Sequence, residues 1–366
     1  MIPEMIGIVG LGLIGGSLAK TIHRIHPHIK IIACDPNAEG LKTAESEGIL
    51  TAGFSEISEE FSHCRYIFLC APVQKNEKYL QELAPFLSED CILSDTGSVK
   101  SAMHADVSAM GLSSFFIGGH PMAGSEKSGY ENATAYLFEN AYFIITHDDA
   151  IRPQLVEEYR DFIVSLGCVP FLMSPGTHDF STAAVSHLPH ILAAGLVHLV
   201  RQLDDETETM KSIAAGGFKD ITRIASSSPV MWQEICGANR EQILKLMELF
   251  IRSMEQVKTS IAWEKQEEIL AFFQEAKDYR DSLPIRGHGT LPSIYEIYCD
   301  LIDEAGGIAT IATILATNGI SIKNIGIIHN REFEEGVLRI EFYEEAPMEQ
   351  AISQLRKHHY MVYERP

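Results

Sequence analysis

The run Gly10-Leu11-Gly12-Leu13-Ile14-Gly15 leaves few choices for the first part of this chain. It follows an apolar run, Ile6-Gly7-Ile8-Val9, and opens a helix-like stretch from Ser17 to Ile25; Asp35 ends the next apolar run, 20 residues after Gly15. In such a strand–turn–helix unit Gly10 permits the tight turn, Gly12 lets backbone N–H groups approach a diphosphate, and Gly15 lets the helix pack closely on the strand. The helix N-terminus then stabilises the diphosphate charge. Glycines alone describe a tight turn equally well, but a strand before, a helix after and an acid at ribose distance make a dinucleotide site. Asp35 is placed to accept hydrogen bonds from ribose hydroxyls and to repel a 2′-phosphate. No Arg sits beside it in Cys34-Asp35-Pro36-Asn37, so NAD is expected rather than NADP. The cofactor-binding set is Gly10, Leu11, Gly12, Leu13, Ile14, Gly15 and Asp35.

Further short apolar runs at 29–33, 66–70, 91–94, 115–117 and 142–145 alternate with helix-like stretches. Being apolar on both faces, they read as central strands of a doubly wound parallel sheet, the Rossmann arrangement. A helix and strand over about 151–172 complete it. From 174 strand signals stop: 181–200 is a long apolar stretch holding Pro189, His187, His190 and His198, and 239–280 has helical periodicity with many charges. This reads as an all-helical domain whose apolar surface packs against a second copy. Two Pro and two Gly between Asp281 and Pro292 mark a linker. The remaining stretch has the βαββαβ order of a ferredoxin-like module. The expected domains are 1–173, 174–283, a linker at 284–292, and 293–366.

Charge removes several classes of partner. With 29 Lys+Arg against 50 Asp+Glu, the net charge of −21 repels phosphate backbones and anionic membranes, so no nucleic-acid or membrane partner is expected. An anionic small ligand must be held by local devices such as a helix N-terminus or a single Arg. The seven cysteines are scattered without a Cys-x-x-Cys pair, as expected of reduced thiols in a cytoplasmic protein. His187 and His190, one helical turn apart with no third ligand, do not amount to a metal site. The histidines at 23, 26 and 28 read as a solvated helix end.

Three clusters fall where a doubly wound sheet gathers loops at its strand C-termini. They are Asp95-Thr96-Gly97-Ser98-Val99-Lys100; Gly118-Gly119-His120-Pro121-Met122-Ala123-Gly124-Ser125-Glu126-Lys127-Ser128-Gly129; and Ser186-His187-Leu188-Pro189-His190 with Gly216-Gly217-Phe218-Lys219-Asp220-Ile221-Thr222-Arg223-Ile224-Ala225 and Trp232. On these motifs the sequence resembles the prephenate dehydrogenase family over essentially its whole length. The family pairs a Rossmann domain with a helical dimerisation domain, and many members add a C-terminal ACT regulatory module.

The resemblance implies NAD-dependent oxidative decarboxylation of prephenate to 4-hydroxyphenylpyruvate, on the route to tyrosine, by a homodimer. It assigns His120 as the base, with Ser98 and His190 completing the catalytic set. It places Arg223 on a substrate carboxylate, supported by Asp220, with Ser125, Glu126, Lys127, Ser186 and Trp232 around the substrate; Trp232 is expected to reach across the dimer interface. Asp303, Ala305, Gly306 and Asn324 are the implied contacts for an amino-acid effector, expected to be tyrosine. The family commonly has Asp-x-Pro-Gly in that loop, whereas this chain reads Asp303-Glu304-Ala305-Gly306-Gly307. Two alternatives stand beside this reading: arogenate as substrate, and a non-catalytic amino-acid sensor on a dehydrogenase scaffold.

Overall fold

The structure, a computed structural model, describes residues 3–72, 75–124, 127–283, 295–300, 306–328 and 337–364. The chain divides into two compact units, 1–289 and 290–366. Ser125, Glu126, Asp303, Ala305 and the linker at 284–292 lie outside the described residues.

An eight-stranded sheet organises the first unit. Its strands are β1 Met5–Val9, β2 Lys30–Cys34, β3 Ala52–Phe54, β4 Tyr66–Leu69, β5 Ile92–Asp95, β6 Phe116–Pro121, β7 Tyr142–His147 and β8 Val169–Leu172, in the order β3-β2-β1-β4-β5-β6-β7-β8. The helices on this sheet are α1 Leu13–Ile25, α2 Ala38–Ser46, α3 Asn76–Leu83, α4 Ser101–Ala109 and α5 Pro153–Ser165. Two apolar layers cover its two faces: Leu18, Ile22, Tyr159 and Phe162 belong to one, and Leu80, Leu83, Met103 and Val107 to the other. This double cover is why strands such as β4 are apolar on both faces. The sheet departs from the all-parallel expectation, because β7 runs antiparallel to β6. Hydrophobicity carries no strand direction, and the short strand β3 gives too little pattern to recognise. Helix α1 starts at Leu13, four residues before the expected Ser17.

His26 also corrects the sequence reading. It is 9% exposed, lies 2.8 Å from Ser165 Oγ and stacks on Phe162, so it docks α1 onto α5 instead of lying in solvent.

Helices α6 Pro175–Thr182, α7 Leu188–Leu203, α8 Thr209–Ile213, α9 Gly216–Thr222, α10 Pro229–Ala238, α11 Arg240–Ala262 and α12 Gln266–Ser282 follow. Between α6 and α7, residues Ala183–His187 form a single π-helical turn. Pro189 has no N–H and its ring opposes the carbonyl four residues back, so the chain widens there without breaking. The continuous run Pro175–Leu203 is long and apolar enough to cross a membrane, by length and composition. It also leaves Leu196, Leu199 and Leu203 exposed, as are Leu244, Leu249, Ile261, Leu270 and Phe273 on α11 and α12.

The second unit runs β9 Tyr295–Asp300, α13 Gly307–Thr317, β10 Asn324–Ile328, β11 Val337–Phe342, α14 Glu345–Lys357, β12 Val362–Glu364, with its own antiparallel sheet in the order β10-β11-β9-β12. Its core includes Ile297, Ile311, Leu315, Leu338, Ile340 and Leu355.

Candidate active site

The nucleotide end is built by β1, α1 and the end of β2. Gly10 has φ +95°, and a Cβ there would come within 2.7 Å of the Ala71 amide nitrogen. A Cβ on Gly15 would lie inside the radius of the Gly10 carbonyl oxygen, whereas one on Gly12 meets nothing within 4 Å. Gly15 is therefore a packing requirement, and the space over Gly12 is open. Helix α1 begins with no side-chain cap and no acidic residue in its first turn, leaving its N-terminal dipole for an anion. Asp35 accepts from the Leu11 amide at 2.6 Å and the Asn37 amide at 2.7 Å, one bond per carboxylate oxygen. It clamps the glycine turn to β2 and keeps a lone pair on each oxygen for ribose hydroxyls.

The second half of the site rests on a buried ion pair. Asp95, at the end of β5, is 1% exposed, and Lys100, just before α4, is 0% exposed. Lys100 Nζ donates to Asp95 Oδ2 and, at 2.7 Å, to the Gly119 carbonyl; the Gly119 amide donates to Asp95 Oδ1 at 3.2 Å. The pair thus holds both polar groups of the residue preceding His120. Burial lowers the Lys100 pKa, and Asp95 opposes that shift.

His120 stands near the end of β6, half-buried. Its Nδ1 lies 2.8 Å from His178 Nε2, and His178 Nδ1 lies 2.8 Å from Asp179 Oδ1. These two residues come from α6, whose start is set by Ser174 capping the Thr177 amide and by Pro175 in the first turn. Asp179 also accepts from the Lys100 amide at 2.7 Å and the Ser101 amide at 2.8 Å, supplying α4 with the N-cap that Lys100 does not provide. Asn239, the residue before α11, donates to the Asp179 carbonyl at 2.8 Å and lies 3.1 Å from His187 Nδ1.

Burial, with His178, Lys100 and His187 nearby, depresses the His120 pKa well below its ordinary value near 6.5, against a smaller opposing effect of Asp179. His120 is therefore neutral at pH 7 and able to accept a proton. His187, in the π turn, is lowered to about 4, mainly by burial.

His190 stacks on Trp232 with ring centroids 4.0 Å apart, and His187 meets the same indole edge-on at 6.0 Å. His190 Nδ1 donates to the Ser186 carbonyl at 2.9 Å. Trp232 thus joins this ring cluster within its own chain. Ser98 lies half-buried in the Asp95–Lys100 loop. Asp220 is on α9, and Arg223 opens a 3₁₀ turn packed against α7; both are exposed, as is Lys127. The structure brings the β5, β6 and α6 groups together around His120, and separately gathers Ser186, His190 and Trp232.

His178, Asp179 and Asn239 are absent from the sequence assignment, and Asp95 and Lys100 appear there without a role. The available signal is the Ser174-Pro175 helix start, which puts His178 at the end of the first turn and Asp179 directly after it, shortly after the last strand of the sheet.

A nucleotide-binding α/β unit whose strand ends carry a neutral histidine has the parts that a nucleotide-dependent oxidoreductase needs. Residues 18–171 match the family described as prephenate dehydrogenase, nucleotide-binding domain, and residues 174–275 match prephenate dehydrogenase, dimerization domain. The prephenate dehydrogenase of Bacillus subtilis (strain 168) is 39% identical over 342 residues, 93% of this chain and 92% of the relative. That of Lactococcus lactis subsp. cremoris (strain MG1363) is 34% identical over 94% of this chain and 95% of the relative. Among solved structures, prephenate dehydrogenase from Aquifex aeolicus in complex with hydroxyphenyl propionate and NAD+ superposes with a TM-score of 0.74 at 33% identity, covering 78% of this chain and 99% of that one. Arogenate dehydrogenase from Synechocystis superposes with a TM-score of 0.69 at 29% identity, covering 76% and 100%. The chain belongs to the prephenate dehydrogenase family.

Proposed function

We propose that this chain carries out the NAD-dependent oxidative decarboxylation of prephenate to 4-hydroxyphenylpyruvate. The cofactor is NAD: the open space over Gly12, the uncapped start of α1 and the free lone pairs of Asp35 fit a dinucleotide bearing ribose hydroxyls. NAD, when bound, supplies the hydride acceptor. The observation that carries the reading is the neutral His120 held at the strand ends by the Asp95–Lys100 pair and α6.

His120 takes the proton of the C4 hydroxyl as the C4 hydride departs, leaving a carbonyl. The ring carboxylate then leaves as carbon dioxide, its bonding pair completes the aromatic ring, and the proton held on His120 returns to the phenolic oxygen or to water. Arg223 forks onto a substrate carboxylate with Asp220 in support. Ser98 and His190 orient the ring, and Ser125, Glu126, Lys127, Ser186 and Trp232 line the substrate. Arogenate is the competing substrate, since relatives named for it share the fold. Steady-state kinetics with prephenate and arogenate, each with NAD and NADP, tests the assignment. Prephenate with NAD should give the highest kcat/KM, and a preference for arogenate or NADP would overturn it.

The proposed domains are 1–173 for the nucleotide, 174–283 for substrate and dimerisation, a linker at 284–292, and a regulatory ACT module at 293–366. A second copy covers the apolar faces of α7, α11 and α12. A cytoplasmic location is supported by seven cysteines, all free. The regulatory reading is supported by the β-α-β-β-α-β order of the second unit and by Gly306, at φ +97°, opening α13. Asn324, assigned to the effector, donates to Glu341 at 3.1 Å on the neighbouring strand. Tyrosine acts only if it favours one domain arrangement over another. A chain truncated after Leu283 should stay active and lose tyrosine inhibition; equal inhibition of both chains would reduce tyrosine to an active-site competitor.

A further inference from the structure

His120 has two ring nitrogens, and only one can serve as the base. Nδ1 faces His178, 2.8 Å away. His178 and Asp179 are 0% and 3% exposed, so their hydrogen bonds have no competition from bulk water. Burial pushes the Asp179 carboxyl upward, but hydrogen bonds from His178, Ser101 and Lys100 outweigh it and hold the pKa below the ordinary carboxylate range. Asp179 is therefore ionised and accepts only. Both of its oxygens already receive backbone N–H groups, Lys100 on Oδ1 and Ser101 on Oδ2, which fixes the carboxylate in one orientation.

Because Asp179 only accepts, His178 Nδ1 must carry a hydrogen. With that nitrogen holding the ring's single proton, Nε2 presents a lone pair to His120 Nδ1, which must then be the donor. We propose that His178 and Asp179 are a positioning pair that holds His120 in its Nδ1–H tautomer, leaving Nε2 as the atom that accepts the substrate proton. This rests on the reading of His120 as the base. When Nε2 gains that proton, the imidazolium is stabilised through His178 by the Asp179 charge, and no proton need leave the chain of three residues. Among the described residues, Lys100, just before α4, and His187, from the π turn, also act on His120; both are positive when protonated and disfavour a permanent charge on the ring. The base is thus kept neutral at rest and oriented toward the substrate. A histidine free to adopt the Nε2–H form would present a hydrogen where the lone pair is needed.

The test is nitrogen NMR of the resting full-length enzyme labelled at histidine, with the His120 signals identified by their loss in His120→Gln. At pH 7.5 Nδ1 should be protonated and Nε2 bare. His178→Phe removes the acceptor, and the Nε2–H form should become populated. His178→Gln restores an acceptor carbonyl and should recover the Nδ1–H form. In turnover, with general-base help worth ~10²–10⁴ in rate, His178→Phe should lower kcat roughly tenfold to a hundredfold at nearly unchanged KM, and His178→Gln should regain most of the loss. A wild-type His120 found as Nε2–H, as it would be were His178 an imidazolium, overturns the proposal without any variant. So does a His178→Phe enzyme with unchanged tautomer and kcat. If the tautomer responds as expected but His120→Ala turns over normally, the positioning pair stands and the base assignment falls.

Discussion

Replacing Lys100 with Met isolates what the buried ion pair contributes, because Met conserves most of the buried stem while deleting the charge. Asp95 is then left at 1% exposure with, among the described residues, the Gly97 and Gly119 amides, at 3.0 and 3.2 Å, facing its charge. Removing one partner of a buried pair typically costs about 3–5 kcal/mol, since the remaining ion cannot rehydrate. At roughly 2 °C or more per kcal/mol for a unit of this size, Tm should fall by upwards of about 6 °C. Pairing Lys100→Met with Asp95→Asn removes the stranded charge as well, and the double variant should be more stable than the sum of the singles predicts by ~1 kcal/mol or more. Urea titration followed by far-UV circular dichroism on the apo enzyme measures all three variants. A second readout is independent of stability: Lys100 helps depress the His120 pKa, so Lys100→Met should move the acid limb of kcat upward in pH. A single variant within about 1 kcal/mol of wild type, with an unmoved acid limb, would refute the reasoning that the pair sustains both the loop and the histidine.

Three further predictions concern other parts of the site. Gly15→Ala forces a Cβ against the Gly10 carbonyl and should cost about 1–3 kcal/mol of stability or more, whereas Gly12→Ala, with open space around it, should melt within about 0.5 kcal/mol of wild type. Gly12→Ala should nonetheless weaken NAD binding about tenfold or more, some 1.4 kcal/mol, by calorimetry; unaffected affinity would mean that the diphosphate does not approach Gly12. Arg223→Ala should raise KM for prephenate roughly tenfold to a hundredfold with a much smaller change in kcat, as expected for a charged pair worth ~1.5–3 kcal/mol in ground and transition states alike, and an unchanged KM would remove Arg223 from the substrate. His187, lowered from 6.5 to about 4, stays unprotonated in the folded chain while its unfolded counterpart gains a proton, so stability should fall as pH drops from about 6.5 to 4. That loss, on the order of 3 kcal/mol, should shrink in His187→Asn, and equal pH slopes in the two proteins would contradict it.

The strands of the sheet were legible because burial on both faces demands uninterrupted β-branched and aromatic runs, as in Tyr66–Leu69. The glycine turn and Asp35 were legible because their backbone demands map directly onto residue type. What stayed hidden depends on groups far apart in sequence. Asp95 and Lys100 look like ordinary loop polarity until the approach of β6 buries them together. His178 and Asp179 follow an unremarkable Ser-Pro helix start, and only tertiary packing brings them onto His120 and the start of α4. His26 belongs with them, since a polar helix end looks solvated until α5 lies across it.

His120 is the centre of the proposed reaction, and absorbance at 340 nm with prephenate and NAD measures its contribution directly. The wild-type enzyme should reduce NAD with an acid limb below pH 6.5, because the His120 pKa is depressed. His120→Ala should retain its affinity for NAD and lose ~10²–10⁴ in kcat, the usual worth of a general base. Near wild-type turnover in that variant, with the same acid limb, would contradict the mechanism.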